Sequence, residues 1–312
     1  MDIAVILPCH NEEAAIAKVV EDFRLALPNA RIYVYDNAST DNTSEVARAA
    51  GAIVGKEQQA GKGNVIRRMF ADVEADVYLM ADGDGTYDPS VAPKMIKTLV
   101  DGNLDMVVGS RVPVNSDEAY RRGHVLGNRL LTGLVVLIFG RGVTDMLSGY
   151  RAFSKRFVKT FPTASRNFEV ETEMTIHALQ MSLPMAEISA PYFKRIEGSQ
   201  SKLSTYKDGF RILRFIALMM KEIKPLLFFS LLAGLFSFLS LALFVPVMEE
   251  YLSTGLVPRL PTAILSLGLM LAAIILLVCG LFLDSIARLR LEQKRLAYLT
   301  FPAPLNKSRS SS

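Results

Sequence analysis

The chain has no tryptophan, two cysteines and three histidines, and the scarcity of the last two each removes a class of chemistry. Cys9 and Cys279 are too few for a disulfide framework or a thiolate metal site; they read as small apolar residues in a reducing compartment. His10, His124 and His177 lack any ligand spacing such as HExxH, so a histidine-held metal is not expected. Charge of one sign is nearly balanced, with 35 Lys and Arg against 31 Asp and Glu for a net charge of +4. Part of that excess flanks long apolar runs, which points to anionic lipid headgroups rather than nucleic acid. No internal repeat is present. Nor does a basic start or a cleavage site precede the strand-like DIAVIL after Met1, so no secretory leader is expected. The tail 301–312, with two prolines and a run of serines, carries no core-forming pattern.

Apolar residues are abundant: they make up half the chain, and the mean hydropathy is +0.27. The excess lies after residue 225. Residues 226–247 and 262–283 each run without a charge, which meets the ~20-residue requirement for crossing a bilayer. Two such stretches joined by a short loop are rare among the buried core helices of soluble folds. Arg211, Arg214, Lys221 and Lys224 precede the first span and Arg288, Arg290, Lys294 and Arg295 follow the second, while only Arg259 lies between. The positive-inside rule therefore places both flanks in the cytoplasm, with Glu249 and Glu250 on the far side. Gly234, Gly255, Gly268 and Gly280 contain no GxxxG pair, so close helix dimerisation has no signature and a homo-oligomer is left open.

Through the first half, short apolar runs at 3–7, 32–35, 77–81 and 106–108 alternate with amphipathic segments at 13–27, 43–50, 64–74 and 91–100. This alternation predicts an α/β fold with a doubly wound parallel sheet. Such sheets bind ligands beyond the C-terminal ends of their strands. Asp82 and Asp84 follow directly on the run 77–81, beside Gly83 and Gly85. Two hard oxygen ligands there suit a divalent cation clamped on a diphosphate. The first strand ends in Pro8-Cys9-His10-Asn11-Glu12, where Asn11 or Glu12 either caps a helix or holds a nucleotide. The second ends in Asp36-Asn37-Ala38-Ser39-Thr40-Asp41, with Asp36 facing a ribose or base and Asp41 capping a helix. Ala60-Gly61-Lys62-Gly63-Asn64 is a glycine-rich turn that either brings Lys62 toward a nucleotide or leaves it as a flexible surface lysine. It is not a Walker A loop. Residues 130–139 are apolar, too short to span a membrane and bracketed by arginines, so they either lie in the interface or pack on the domain. Residues 206–222 have the same character, with Phe210, Leu213, Ala217 and Met220 at helical spacing. In the acidic run Glu169, Glu171 and Glu173, the first and last read as solvated.

With Asp82-Gly83-Asp84, Gly109-Ser110-Arg111 and Asp145-Met146-Leu147-Ser148-Gly149-Tyr150-Arg151 added, the set resembles glycosyltransferase family 2, in particular its dolichyl- or polyprenyl-phosphate sugar synthases, over residues 1–205. The resemblance implies a GT-A, Rossmann-like and mostly parallel catalytic domain, a nucleotide-sugar donor, Mg²⁺ or Mn²⁺, and inversion at the anomeric carbon. It implies nucleotide contacts at Pro8, Asn11, Glu12 and Asp36, donor and metal carboxylates at Asp82 and Asp84, and donor-lining residues at Ser110 and Arg111. Arg195, Gly198, Ser201 and Lys202 resemble an element that closes over phosphate, with one extra residue between Gly198 and Ser201. Where dolichyl-phosphate mannose enzymes place a metal-holding glutamine, this chain has Thr86. Glu171 matches an acidic helix-start position that orders the acceptor loop.

The expected layout is a cytoplasmic catalytic domain (1–205), an amphipathic interfacial helix (206–224), a first span (225–247), a short non-cytoplasmic loop (248–261), a second span (262–283) and a cytoplasmic tail (284–312). A phosphate monoester acceptor has a second pKa near ~6 and is already nucleophilic at neutral pH, so no general base is required. Two anions must then be brought together by cations on both sides: a metal on the leaving diphosphate, and Arg122, Arg129, Arg195 or Lys202 with Ser201 on the lipid phosphate. The expected partners are a nucleotide-sugar donor, a polyprenyl phosphate, undecaprenyl phosphate in a bacterial source, and membrane lipids. UDP is favoured over GDP by resemblance to bacterial members, with a GDP-mannose-dependent synthase as the alternative. Processive polysaccharide synthases resemble one another in a QxxRW motif, which a chain without tryptophan cannot supply. A sugar nucleotidyltransferase would carry a glycine- and arginine-rich first loop. An inactive membrane scaffold has no reason to keep two mutually repelling carboxylates.

Overall fold

The computed structural model describes residues 1–114, 122–140, 142–167, 169–196 and 205–304, with the side chains of 122–126 and 205–208 outside that description. Two compact units emerge, one from residues 1–214 with 294–312 and the other from residues 215–293.

The first unit is built on β1 (Ile3–Cys9), α1 (Glu13–Ala26), β2 (Arg31–Asn37), α2 (Thr43–Ala49), β3 (Ile53–Glu57), α3 (Lys62–Asp72) and β4 (Val77–Met80). It continues through α4 (Ala92–Asp101), β5 (Met106–Pro113), α5 (Arg122–Phe139), β6 (Arg151–Ser154), α6 (Lys155–Thr160), α7 (Val170–Met181) and β7 (Met185–Tyr192). The seven strands form one sheet in the order β3-β2-β1-β4-β6-β5-β7. All neighbours run parallel except β6, which is antiparallel to both β4 and β5. The six parallel strands consequently share one C-terminal edge. The antiparallel β6 brings the turn that precedes it, 145–150, to that same edge.

The central strands are continuous apolar runs because both faces are covered by helices. Val77, Tyr78, Leu79, Met80 and Ala81 are fully buried, as are Ala4 to Leu7 and Met106 to Val108. Strands β3, β6 and β7 were not expected. β3 is an edge strand of half-exposed residues without a buried apolar run, and β6 has only four residues. β7 is the other edge strand, with only Ile188 and Ala190 of its residues buried. Asp41 is not the N-cap of α2, which is Asn42; it stands one residue earlier, where one oxygen accepts from the Thr43 N–H at 3.1 Å and the other from the Glu13 N–H at the start of α1 at 3.1 Å. The solvated reading of Glu169 and Glu173 is corrected, since both are buried. Glu173 accepts from the backbone N–H groups of Ala164 and Ser165 and from the Ser165 hydroxyl at 2.5–2.8 Å, holding the loop before α7.

Helix α8 (Thr205–Ile223) leads into the second unit, whose body is α9 (Pro225–Thr254) and most of α10 (Leu260–Leu299). Pro225 occupies the first turn of α9, where its missing N–H costs nothing. Gly255 ends that helix in the left-handed conformation, φ +70°, with its N–H on the Tyr251 carbonyl. At 30 and 40 residues, both helices are long and apolar enough to cross a membrane by length and composition. Helix extends past both uncharged runs, leaving only 255–259 as the connection. Buried residues recur every seventh position: Ala233, Ser240 and Val247 on α9, Ser266, Ala273, Gly280 and Ala287 on α10. Small side chains along this seam let the two backbones approach. At its centre the Ser240 hydroxyl donates to the Ser266 carbonyl at 2.7 Å and the Ser266 hydroxyl donates to the Ser240 carbonyl at 3.1 Å.

Candidate active site

The C-terminal edge of the sheet gathers most of the residues singled out from sequence. Asn11 and Ala38, at the tips of β1 and β2, both have positive φ, 53° and 55°, a conformation that costs energy outside glycine and concentrates at functional sites. Asn11 ties the two tips together: its N–H donates to the Ser39 hydroxyl at 2.9 Å and its side-chain carbonyl accepts from the Thr40 N–H at 2.8 Å. The Glu12 N–H donates to the Thr43 hydroxyl at 2.9 Å, and the side chain is buried. Pro8 sits inside β1 opposite Tyr35. Asp36 accepts from the Ser39 N–H at 2.9 Å and from the Ser44 hydroxyl at 2.5 Å. Burial pushes its carboxyl up, but the hydrogen bonds from Ser39 and Ser44 outweigh it and hold it below the usual carboxylate range.

Lys62, the first residue of α3, is no flexible surface lysine. Its ammonium lies 2.5 Å from Asp82 Oδ1 and 2.5 Å from Glu171 Oε1. Burial alone would favour the neutral amine; the two carboxylates reverse that and push the group above its ordinary value. Asn37 sets up this placement by accepting the Gly61 N–H at 2.7 Å just before the helix starts. Gly149 closes over the pair. A Cβ there would stand 2.9 Å from Asp82 Oδ2 and 3.1 Å from the Lys62 ammonium, so a side chain at 149 would push this pair aside.

Asp84 is nearly buried. Its Oδ1 accepts from the Thr86 N–H at 3.1 Å and the Thr86 hydroxyl at 2.7 Å, while Oδ2 pairs with the Arg195 guanidinium at 2.8 Å. Burial, and then the neighbouring Asp82, push its carboxyl above the ordinary range. One oxygen is thus locked in orientation and the other turned toward a cation. Among the described residues no cluster of three or more protein ligands converges on a metal position. This donor set fits a divalent ion that draws its remaining ligands from a bound diphosphate.

Arg111 projects from β5 after Ser110, which lies in register with Ser189 of β7. Asp145 grips Arg111 through the guanidinium Nε and Nη2 at 2.7 Å each, and accepts its backbone N–H at 3.1 Å. Burial raises the Asp145 carboxyl, but the Arg111 hydrogen bonds outweigh it and the net shift is downward. Asn128 of α5 donates to the same carboxylate at 2.9 Å, which ties the apolar helix to the site. Beneath this pair Arg151, fully buried, donates to the carbonyls of Ser148 and Met146 and to the Thr175 hydroxyl, so it shapes the 145–150 turn. A cavity of about 600 Å³ opens beside Asp82 and is walled by Phe23, Tyr87, Phe193 and Ile196.

The structure thus brings together Asp82, Asp84, Lys62 and Arg195, with Arg111 on β5 at the same sheet edge. Arg129 stands exposed on α5, one residue after Asn128. Arg122 begins that helix with its side chain outside the described set, and Gly198, Ser201 and Lys202 lie outside the described residues. Sequence reasoning gave no role to Asp145, Asn128 or Asn37. The 145–151 stretch carried the family resemblance, but no spacing rule pairs a carboxylate with an arginine 34 residues earlier.

Comparison with known proteins identifies the family and the fold. Glycosyltransferase AglJ of Haloferax volcanii is 31% identical over 94% of this chain and 96% of its own length. A dolichyl-phosphate hexose transferase from the same organism is 28% identical over 67% of this chain and 89% of its own. The crystal structure of glucosyl-3-phosphoglycerate synthase from Mycobacterium tuberculosis, in complex with Mn²⁺ and UDP-glucose, superposes with a TM-score of 0.56 at 23% identity, over 70% of this chain and 78% of that one. That likeness establishes the GT-A-like fold. The family Glycosyl transferase family 2 matches residues 4–161, and with the full-length similarity to AglJ this chain belongs to it.

Proposed function

We propose that the protein transfers one hexose from a nucleoside-diphosphate sugar, with UDP as the favoured nucleotide, to a polyprenyl phosphate at the cytoplasmic face of a membrane, with inversion at the anomeric carbon. The observation that carries this reading is Asp84, a nearly buried carboxylate fixed by Thr86 on one oxygen and turned to a positive charge on the other, at the mouth of the sheet. The names of the relatives support a hexosyl donor and a dolichyl-phosphate acceptor, and the Mycobacterium tuberculosis complex supports UDP and Mn²⁺. The two long apolar helices support delivery of a lipid substrate.

Asp84, aided by Asp82, would hold a Mg²⁺ or Mn²⁺ ion, which when bound supplies Lewis-acid neutralisation of the departing diphosphate. Lys62 keeps Asp82 oriented. Arg111, held rigid by Asp145, meets negative charge on the donor side without reorganising. Asp36, Glu12 and Asn11 hold the nucleoside at the β1 and β2 tips. An oxygen of the acceptor phosphate attacks the anomeric carbon, the bond from that carbon to the diphosphate oxygen breaks, and the nucleoside diphosphate leaves with the electron pair. The acceptor dianion carries no proton that must be removed, since its second pKa is ~6. Arg195 and Arg129 provide cations for it, with Arg122, Ser201 and Lys202 proposed for the same set.

Purified protein incubated with labelled donor and polyprenyl phosphate is expected to give an organic-extractable labelled product. Asp84→Ala should lower its formation by about a hundredfold or more, the scale of losing a main electrostatic group in the transition state. Undiminished transfer by that variant would remove the metal-assisted reading.

A further inference from the structure

We infer that Arg195 is the resting counter-ion of Asp84, and that a divalent cation arriving with the donor displaces it, releasing the guanidinium to meet the acceptor's phosphate. This rests on the functional reading above and adds an order of binding to it: donor with metal first, acceptor second.

Charge sets the two occupants against each other. Arg195 lies 2.8 Å from Asp84 Oδ2. The other oxygen is taken by the Thr86 hydroxyl and N–H. A dication on Oδ2 would stand beside the guanidinium and repel it. A carboxylate this enclosed is costly without a partner, so the resting enzyme needs a cation there until a metal comes.

Formal charge gives the direction of exchange. Asp82, Asp84 and Glu171 face Lys62 and Arg195, three negative charges against two positive. Replacing Arg195 by a dication brings the set to neutrality, whereas displacing Lys62 would not be matched by geometry. Lys62 is bridged between two carboxylates and its side chain is 11% exposed. Arg195 is the more exposed of the two cations, at 26%, and stands in irregular chain three residues beyond the end of β7. It is the cation able to leave.

The consequence is that one arginine serves two anions in turn. Before the donor binds it is held on Asp84 and is lost to the acceptor. Once the metal has taken Asp84, the released guanidinium matches a phosphate monoester in charge and in hydrogen-bond geometry.

The test is calorimetric titration of the full-length protein in lipid nanodiscs with Mn²⁺ plus UDP, and in parallel Mn²⁺ plus GDP, followed by a short-chain polyprenyl phosphate. Wild type is expected to bind the lipid phosphate at least tenfold more tightly after Mn²⁺ and nucleotide than before, about 1.4 kcal/mol of coupling. Arg195→Gln should bind Mn²⁺ and nucleotide several-fold more tightly than wild type, because no resident cation has to be expelled, and should lose the nucleotide-dependent gain in lipid affinity. An arginine with a merely structural role would weaken metal binding when removed, so equal or weaker Mn²⁺ binding by Arg195→Gln overturns the exchange. Arg195→Lys keeps the resident charge, so it should bind Mn²⁺ and nucleotide as wild type does while showing a smaller gain in lipid affinity, because an ammonium lacks the guanidinium's fork onto phosphate; Mn²⁺ binding as tight as that of Arg195→Gln would place the effect in packing and overturn it too. Wild type that binds neither nucleotide with Mn²⁺ sinks the functional reading itself, and the exchange with it.

Discussion

Both ring nitrogens of His177 are buried without a hydrogen-bond partner among the described residues, and the imidazole stands edge-on to Phe157 and Phe161. Burial, and then the positive charge of Lys294, push its pKa down to about 3. The folded state keeps this histidine neutral while the unfolded chain protonates it below about pH 6.5, so native stability falls with acidity from there down toward pH 3. The steepest loss is about 1.4 kcal/mol per pH unit. His177→Phe removes the titrating group and completes an aromatic cluster. Melting temperatures at about pH 7.5 and about pH 5 should converge in the variant relative to wild type; parallel profiles would show that His177 is not neutral in the fold. Lys62 shows the same dependence on surroundings. Its glycine-rich turn was visible in sequence, but its partner Asp82 is 20 residues away and Glu171 another 89 beyond. No local pattern carries a charge pair across such separations. Asp82 and Asp84 were legible because a strand and the carboxylates at its tip are contiguous in the chain, so one local rule places both.

At the scale of elements, legibility followed burial. Strands β1, β2, β4 and β5 announce themselves as apolar runs, whereas β3 and β7 lie half exposed at the two sheet edges and β6 is short and antiparallel. The 145–150 turn reaches the C-terminal edge of the sheet only because β6 reverses direction, a fact of topology that composition does not hold. Helix α5 joins the site through Asn128, which its apolar character alone did not suggest. The paired helices α9 and α10 carry a seam with a period of seven and small side chains, and a search for GxxxG overlooks it. Ser240 and Ser266 sit at the centre of that seam, both nearly inaccessible. Ser240→Leu inserts a bulky side chain where two backbones meet and should destabilise the pair by about 1–3 kcal/mol. Ser240→Ala forfeits only a hydrogen bond worth ~0.6 kcal/mol inside a membrane. Thermal melting in detergent should separate the two variants clearly; equal effects would mean the seam is not tightly packed.

Seen whole, the molecule joins an α/β unit that gathers charged groups at one sheet edge to a helical unit whose two apolar runs, 226–247 and 262–283, carry none. The net charge of +4 conceals this division, since carboxylates cluster at the sheet edge while lysines and arginines flank the apolar runs. Both units were foreseeable: alternating strands and helices specify the first, and two uncharged runs of membrane-spanning length specify the second. The two ion-pair sets at the sheet edge, Asp84 with Arg195 and Lys62 with Asp82 and Glu171, were not, because they exist only once the strands are in register. The proposed function requires Asp84 to hold a divalent cation. Electron paramagnetic resonance of Mn²⁺ titrated with full-length protein and UDP or GDP measures this directly. Wild type should quench the free-ion signal in a nucleotide-dependent way, and Asp84→Asn should weaken Mn²⁺ binding by about tenfold or more. Equal quenching by wild type and Asp84→Asn would contradict the account at its centre.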